Sequence, residues 1–453
     1  MYGDSTGSGS TFMTIENLNR KGIDQIVSSI NCVDESDLEK YEVDGLRPRV
    51  IAVPKDEEEI TSVLSIANSE KLKVIVMGSG TEMALGNIPN GLDIVILTKR
   101  CEKIVSYSPD DMTISLQSGV EIERVQKEIE KKDQFIPIDP SHPNATIGGI
   151  LSANTTGVLR TRFGTIRDIL LGVKVVSPMG KITKAGGNVV KNVAGYDLTK
   201  LYVGALGTLG LVLEANLKLH PLPEQEGTLI IFLNDIRDVG DISREIIRKS
   251  IPYSLELLDI TLLNTLAKFI HNNTKDFLYF ILVRYNGTDV SVSNQISETD
   301  MSIKGRIGVR TEMLFGDESK RLWNTFRSIS AEQRSIACKV SVPRSMSVSV
   351  FKRIKDEMSI FDPVIFSEPS VGIIHLLIKE TNDQKYLVDR VSGIRTFAEE
   401  NSGSLVIETA PTSVKKQIDV WGTPPSGIEI MRSIKKRFDP NNIMSPGRYI
   451  GGM

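Results

Sequence analysis

The chain has 453 residues, 54 Lys plus Arg against 57 Asp plus Glu for a net charge of -3, with 40% hydrophobic and 25% charged residues. At about 150 residues per domain this excludes one small domain, and the composition excludes a disordered or collagen-like chain. The near-balanced charge gives no reason to expect nucleic acid or an anionic membrane surface as a partner. The longest apolar runs, residues 94–97 and 169–176, fall far short of the ~18 needed for a transmembrane segment. No basic-then-apolar leader pattern opens the sequence, so the expected location is cytoplasmic. Three cysteines, Cys32, Cys101 and Cys338, are too few and too scattered for a disulfide framework, a zinc site or an iron–sulfur cluster. Any electron this chain handles must leave through something else.

In chain order, residues 1–12 are rich in Gly, Ser and Thr and read as a flexible tail, with Met13 a candidate natural start. Residues 50–53, 74–77, 94–97 and 112–116 read as strands. Between the first two, Asp56 precedes three glutamates and an apolar face of Ile60, Val63, Leu64 and Ala67, the pattern of an N-capped amphipathic helix. Residues 121–132 repeat the pattern with Ile122, Val125 and Ile129 on one stripe. Glycines crowd the region from about 140 to 219 at strand ends and turns, as close backbone approach to a ligand would require. Pro221, Pro223 and Gly227 then mark a boundary. A less regular mixture of helix and strand runs to about Gly422, and a last helix over 428–438 ends in Lys435, Lys436 and Arg437 before Asp439-Pro440. No internal repeat is visible.

Three stretches carry the chemistry. Met77, Gly78, Ser79, Gly80, Thr81 and Glu82, closing at Gly86, follow a strand with small residues whose N–H groups can converge on a phosphate. The stretch has neither the Gly-Lys-Ser/Thr ending of a nucleotide-triphosphate loop nor the Gly-x-Gly-x-x-Gly of a nicotinamide site; taken alone, a tight structural turn explains it equally well. The second stretch runs from Asp139-Pro140-Ser141-His142 through Thr146, Gly148 and Gly149 to Ser152, Asn154, Gly157 and Gly164. Two glycine-rich segments about seventy residues apart fit a long ligand clasped between two subdomains, and a dinucleotide has that length. The third is Gly186-Gly187-Asn188-Val189-Val190-Lys191-Asn192-Val193-Ala194-Gly195-Tyr196-Asp197-Leu198, followed by Gly207-Thr208-Leu209-Gly210.

With GSGT, TIGG, KNVAGYDL and GTLG in this order, the sequence resembles the FAD-binding domain of vanillyl-alcohol-oxidase-type flavoproteins, and among them the FAD-binding subunits of glycolate oxidase. The likeness covers about 47–223 and resumes at 431–448, where Ser445 replaces the family's Asn before Pro-Gly-Arg. The resemblance implies an α+β protein: a tail and helix (1–40), a two-subdomain FAD-binding domain (41–224), an α+β cap over the substrate (225–424) and a C-terminal return (425–453). It implies that Met77 to Glu82 and Gly86 wrap the pyrophosphate and that Thr146, Gly148, Gly149, Ser152, Asn154, Gly157 and Gly164 line the flavin path. Val212 would lie near the ribityl or adenine part, Pro140 and His142 near the flavin ring, and Arg448 beside it. No His or Cys stands in the GSGT loop, so non-covalent FAD is expected.

Relatives build a metal and acid–base site from His-x-Gly-Asp-Gly-Asn-x-His plus a later Glu. The matching stretch here runs from Ile365 to His375 and keeps Gly372 and the last His, but has Glu368 for the first; Glu408 matches the later Glu. Glu368, His375 and Glu408 are therefore the candidate ligands of a divalent metal, with His375 and Glu408 also candidate catalytic groups. The bland alternative is a histidine on an apolar strand and two solvated glutamates. Arg344, after Val342-Pro343, is the candidate holder of a substrate carboxylate, although a surface salt bridge is the commoner fate of such an arginine.

The leading expectation is an FAD-dependent oxidoreductase subunit that oxidises a small 2-hydroxy acid such as glycolate or D-lactate. Its electrons would pass to an iron–sulfur partner subunit or a quinone, and a partner could hold it at a membrane periphery. The competing expectation, favoured by the altered histidine motif, is an FAD-binding relay or structural subunit beside a paralogous catalytic flavin chain. A stand-alone oxidase using oxygen, or a cell-wall sugar reductase, fits less well; KNVAGYDL does not suit the reductase.

Overall fold

A computed structural model describes residues 15–187, 196–271, 277–331, 335–379, 381 and 383–453. Most of the KNVAGYDL run, residues 188–195, lies outside the described residues. The strands expected near the start are present: Val50–Ala52, Ile94–Leu97 and Val74–Met77 form a parallel three-stranded sheet with the second in the middle. Both faces of such a sheet are covered, which is why these strands read as unbroken apolar runs. Helix Glu57–Glu70 packs Ile60, Val63, Leu64 and Ala67 into that core, and Asp56 caps it by accepting the Glu59 N–H at 3.0 Å.

The next sheet has five strands in the order Ile104–Ser108, Thr113–Gln117, Leu211–Lys218, Leu170–Val176, Ile182–Gly186, all antiparallel. Helix Ile122–Ile129 buries Ile122, Val125 and Ile129 against it, as their spacing predicts, and a 3-10 turn over Glu130–Lys132 extends the helix to the expected end.

The third sheet has eight strands, again antiparallel: Val309–Phe315, Gln225–Leu233, Tyr279–Gly287, Ser254–Asp259, Val364–Glu368, Ile373–Ile378, Ile336–Ser341 and Ser404–Thr409 in spatial order. Helices Arg237–Lys249, Asp289–Ile303, Ser347–Met358 and Gln384–Glu400 cover one face, with a core that includes Ile242, Ile296, Phe351 and Ile394. Truncating a fully buried side chain there, such as Phe351, would cost about 3–5 kcal/mol. On the opposite face, helix Gly316–Ala331 covers part of the sheet through Leu322, Trp323 and Phe326. The rest of that face looks onto the glycine-rich segments of the five-stranded unit.

The C-terminal segment returns to the first sheet. Ile443 and Met444 are fully buried in its core, and Val74 donates to the Ile443 carbonyl at 2.8 Å. Lys435 reaches Asp439 at 2.6 Å and the carbonyls of Thr208 and Met444 at 2.9 Å, fastening the last helix to the Gly207–Gly210 turn. Ser445, which replaces the family's Asn, has a φ of 44°. Asn tolerates that left-handed region better than Ser does.

Candidate active site

A first cleft lies at the ends of Val74–Met77 and the Thr146 turn. It is walled by Gly78, Ser79, Gly80, Thr81 and Glu82 on one side, Thr146, Gly148, Gly149 and Ser152 on another, and Gly207, Gly210 and Val212 on a third. Gly78, Gly148 and Gly210 stand where a side chain cannot fit. A methyl on Gly78 would come within 2.0 Å of Thr146 Oγ1, and one on Gly148 within 2.7 Å of Ser118 Cβ. Thr146 Oγ1 in turn accepts the Gly149 N–H at 3.3 Å, which fixes the turn. The result is a backbone-lined cradle of the kind a pyrophosphate and flavin need, and it fits FAD.

The expected cofactor residues divide in the structure. Gly78 to Glu82, Thr146, Gly148, Gly149, Ser152, Val212 and Arg448 line the first cleft. His142, Asn154 and Gly157 line a second cavity instead, and Pro140 a third. Met77 is buried beneath the cleft, without lining it. Gly86 packs on the Arg448 backbone, where a methyl would come within 2.9 Å of the carbonyl. Gly164, with φ 76°, turns the chain against Asp168. Arg448, expected beside the ring, lines the same cleft. Its guanidinium is buried and donates to the carbonyls of Met83 and Leu85 at 2.6 and 2.5 Å, so it pins the loop to the C-terminal segment. Burial pulls its pKa down to about 10, with Asp44 opposing. Thr98 and Ser118 also line the cleft and were not singled out from the sequence.

The second cavity, about 150 Å³, adjoins the first: Thr81, Glu82 and Ala153 line both. Its far wall is the uncovered face of the eight-stranded sheet, and five adjacent strands each contribute one charged or titratable residue. Across the sheet these are Glu256, Glu368, His375, Lys339 and Glu408. The register explains the row. His375 is the Cα partner of Phe366 on one side and of Lys339 on the other. A bulge opposite Ala337 and Cys338 inserts Glu408 between Thr409 and Ile407, so Glu408 and Thr409 both reach the cavity.

Lys339 Nζ lies 2.5 Å from Glu408 Oε1. Burial would raise the Glu408 pKa, but the charges of Lys339 and His375 outweigh it and hold the carboxyl below the usual range. The His375 ring stacks on Phe366 with centroids 4.7 Å apart and planes 16° from parallel, and its Nε2 is 3.8 Å from Glu368 Oε1. Glu82 is the carboxyl at the junction of the two cavities. Burial lifts its pKa to about 7, Glu408 adds to the rise, and Lys339 opposes it.

The expected metal trio thus meets in one cavity, but not as a chelating group. Among the described residues no three His, Cys, Asp or Glu are placed to hold a metal ion, and Glu408 takes its positive charge from Lys339. Arg344 is misplaced for its expected task. It is exposed at the start of a 3-10 turn and lines none of these cavities. The guanidinium lining the cavity is that of Arg327, from helix Gly316–Ala331. Glu256, Lys339 and Arg327 were not selected from sequence, and Asp139 was named only as the start of the second glycine-rich stretch. The signal available was a Glu flanked by Leu255, Leu257 and Leu258.

Residues 48–186 match the FAD binding domain family, and residues 222–449 match the C-terminal domain of FAD linked oxidases. Glycolate oxidase subunit GlcD of Bacillus subtilis is 31% identical over 422 residues, covering 88% of each chain. A D-lactate dehydrogenase of Anaerostipes hadrus is 25% identical and covers 89% of each. Among solved structures, p-cresol methylhydroxylase with substrate bound superposes with a TM-score of 0.74 over 96% of this chain and 97% of its own, at 15% identity. The fold is therefore the expected α+β one, an FAD-binding unit of vanillyl-alcohol-oxidase type with an α+β cap. The chain belongs to the FAD-linked oxidases.

Proposed function

We propose that this chain oxidises a small 2-hydroxy acid of the glycolate or D-lactate kind and passes the electrons to an iron–sulfur partner subunit or a quinone. The observation that carries the reading is the shared wall: the cavity holding His375, Lys339 and Glu408 meets the FAD cleft at Thr81 and Glu82. Relatives named for glycolate and D-lactate give the substrate class. Bound FAD supplies the hydride acceptor. The protein supplies position and charge. Arg327 offers a guanidinium to the substrate carboxylate, and Lys339, held by Glu408, orients the hydroxyl. His375, held flat by Phe366, takes the hydroxyl proton.

A divalent ion has no place in this reading, since Lys339 provides the positive charge against Glu408. No helix among the described residues is long and apolar enough to cross a membrane. We place the chain in the cytoplasm, reaching a membrane through a partner. A second reading, an FAD-binding relay subunit beside a paralogous catalytic flavin chain, is favoured by Glu368 standing where the resemblance expects a histidine.

Anaerobic flavin bleaching separates the two. A catalytic chain bleaches with glycolate or D-lactate unaided and loses this on His375→Ala with flavin content intact. A relay subunit bleaches only with its partner present.

A further inference from the structure

Two buried cations hold the chain just behind the loop that wraps the pyrophosphate. Met83 and Leu85 donate their N–H groups to the carbonyls of Gly80 and Glu82 at 3.2 and 3.1 Å, so the chain coils tightly from Gly80 to Leu85. The carbonyls that leave this coil point into the protein, where each needs a donor and a cation is the strongest one. Three in succession find one. Arg448 donates to the carbonyls of Met83 and Leu85 at 2.6 and 2.5 Å, and between them Lys415 Nζ donates to that of Ala84 at 2.6 Å. No acceptor among the described residues takes the N–H of Ser79, Gly80 or Thr81, and these three residues line the FAD cleft.

The two cations come from different parts of the chain. Arg448 belongs to the C-terminal return, whereas Lys415 ends the short helix Thr412–Lys415, which begins three residues after the cap strand that carries Glu408. A lysine ordinarily keeps its ammonium group in water. The Lys415 side chain has no exposed surface, and its second partner is Asp44 Oδ1 at 2.7 Å, on a side chain only 8% exposed. Burial pulls the Lys415 pKa down, Asp44 opposes, and the charge of Arg448 pulls it further. The same junction is closed by neutral groups. Asn87 donates to Asp419 at 2.8 Å and accepts the Val420 N–H at 3.0 Å, while the Arg448 carbonyl accepts the N–H of Asn87 and the indole N–H of Trp421, both at 2.9 Å.

We propose that Lys415 is a positioning residue for FAD: reaching from the cap, it fixes the Ala84 carbonyl and with it the pyrophosphate loop, so that tight FAD binding requires the end of the cap to be docked. With the carbonyls of residues 83–85 committed to the cations, the N–H groups of Ser79, Gly80 and Thr81 are left for the phosphates. Lys415 and Arg448 against Asp44 also leave a net positive charge behind the loop, the sign that a pyrophosphate needs. Arg448 alone would tie the loop only to the C-terminal return. Lys415 ties it to the segment that runs on from Glu408, and so to the unit that forms the second cavity. The proposal stands on the FAD cleft and does not depend on the hydroxy-acid reading.

FAD release tests it, read on the purified FAD-loaded protein as the rise of free-flavin fluorescence on dilution, with no substrate present. Lys415→Met should weaken FAD binding on the order of 10- to 100-fold. Ile354→Ala truncates a fully buried side chain of the cap core and serves as the control for lost stability alone; it should shift the dissociation constant by no more than about threefold. Should the unpaired charge of Asp44 prevent Lys415→Met from folding, Asp44→Asn combined with Lys415→Met removes the buried pair together and restores the fold. FAD binding stays weak in that double variant, because nothing holds the Ala84 carbonyl. Wild-type release from folded Lys415→Met or from the double variant overturns the proposal. An equal loss of FAD in Ile354→Ala also overturns it, since stability alone would then account for the effect. No substrate enters this measurement, so the hydroxy-acid reading can fail without touching it.

Discussion

The cofactor cleft is walled by Gly78, Gly80, Gly148, Gly149, Gly207 and Gly210, whereas the cavity beside it is walled by Glu256, Glu368, His375, Lys339 and Glu408 from five strands. The first holds its ligand through main chain, so positions such as Gly78 and Gly148 demand the absence of a side chain. The second acts through side chains that meet only because antiparallel strands distant in sequence are brought into register. A site made of backbone leaves contiguous motifs; a site made across a sheet leaves single residues.

The largest effect expected from this contrast is in the first region. Gly78→Val drives a branched side chain into Thr146, 2.0 Å from the first added carbon, and should purify without bound FAD while the cap stays folded. Absorbance of the purified protein decides it, and a yellow protein would break the view that the cleft tolerates no Cβ. Next in size is Lys339→Met, which leaves Glu408 without its cation. We expect a loss of stability of about 1.5–3 kcal/mol by urea melts, loss of bleaching, and retained FAD.

The resemblance and the glycine motifs together placed the FAD cleft, because backbone approach forces Gly at fixed positions such as Gly78 and Gly148. Periodicity placed the helices at Glu57–Glu70 and Ile122–Ile129. Of the charged row, Glu368, His375 and Glu408 were legible through the resemblance, but Glu256 and Lys339 escaped notice. Glu256 and Lys339 look like ordinary polar residues of alternating strands until the pairings Leu257 with Ser367 and Lys339 with His375 are known. Arg344 misled for the same reason, since nothing local says that it faces solvent while Arg327, on a helix, lines the cavity.

A smaller effect concerns pH. Burial makes Glu256 and Asp139 bind protons more tightly in the folded state than in the unfolded chain, so folding is favoured below the ordinary carboxylate pKa and loses stability as pH rises through the raised values, about 7 for Asp139. Glu256→Gln removes one such group. Its melting temperature should exceed the wild type's by a few degrees at about pH 8 and match it at about pH 4. Glu408 has the opposite sign: its depressed pKa adds stability above the ordinary carboxylate range that is lost as pH falls through the folded value. Equal melting curves for Glu256→Gln at all pH values would mean that burial does not raise the Glu256 pKa. The smallest effect is for Arg344→Ala, which should change stability by no more than about 0.5 kcal/mol and leave bleaching intact, whereas Arg327→Ala should weaken substrate binding.

The most direct test of the hydroxy-acid reading is the anaerobic visible spectrum of the purified chain before and after adding glycolate or D-lactate. The account predicts flavin bands that bleach in the wild type and persist in Lys339→Met. Flavin bands that are present in the wild type and persist with every 2-hydroxy acid offered would contradict it.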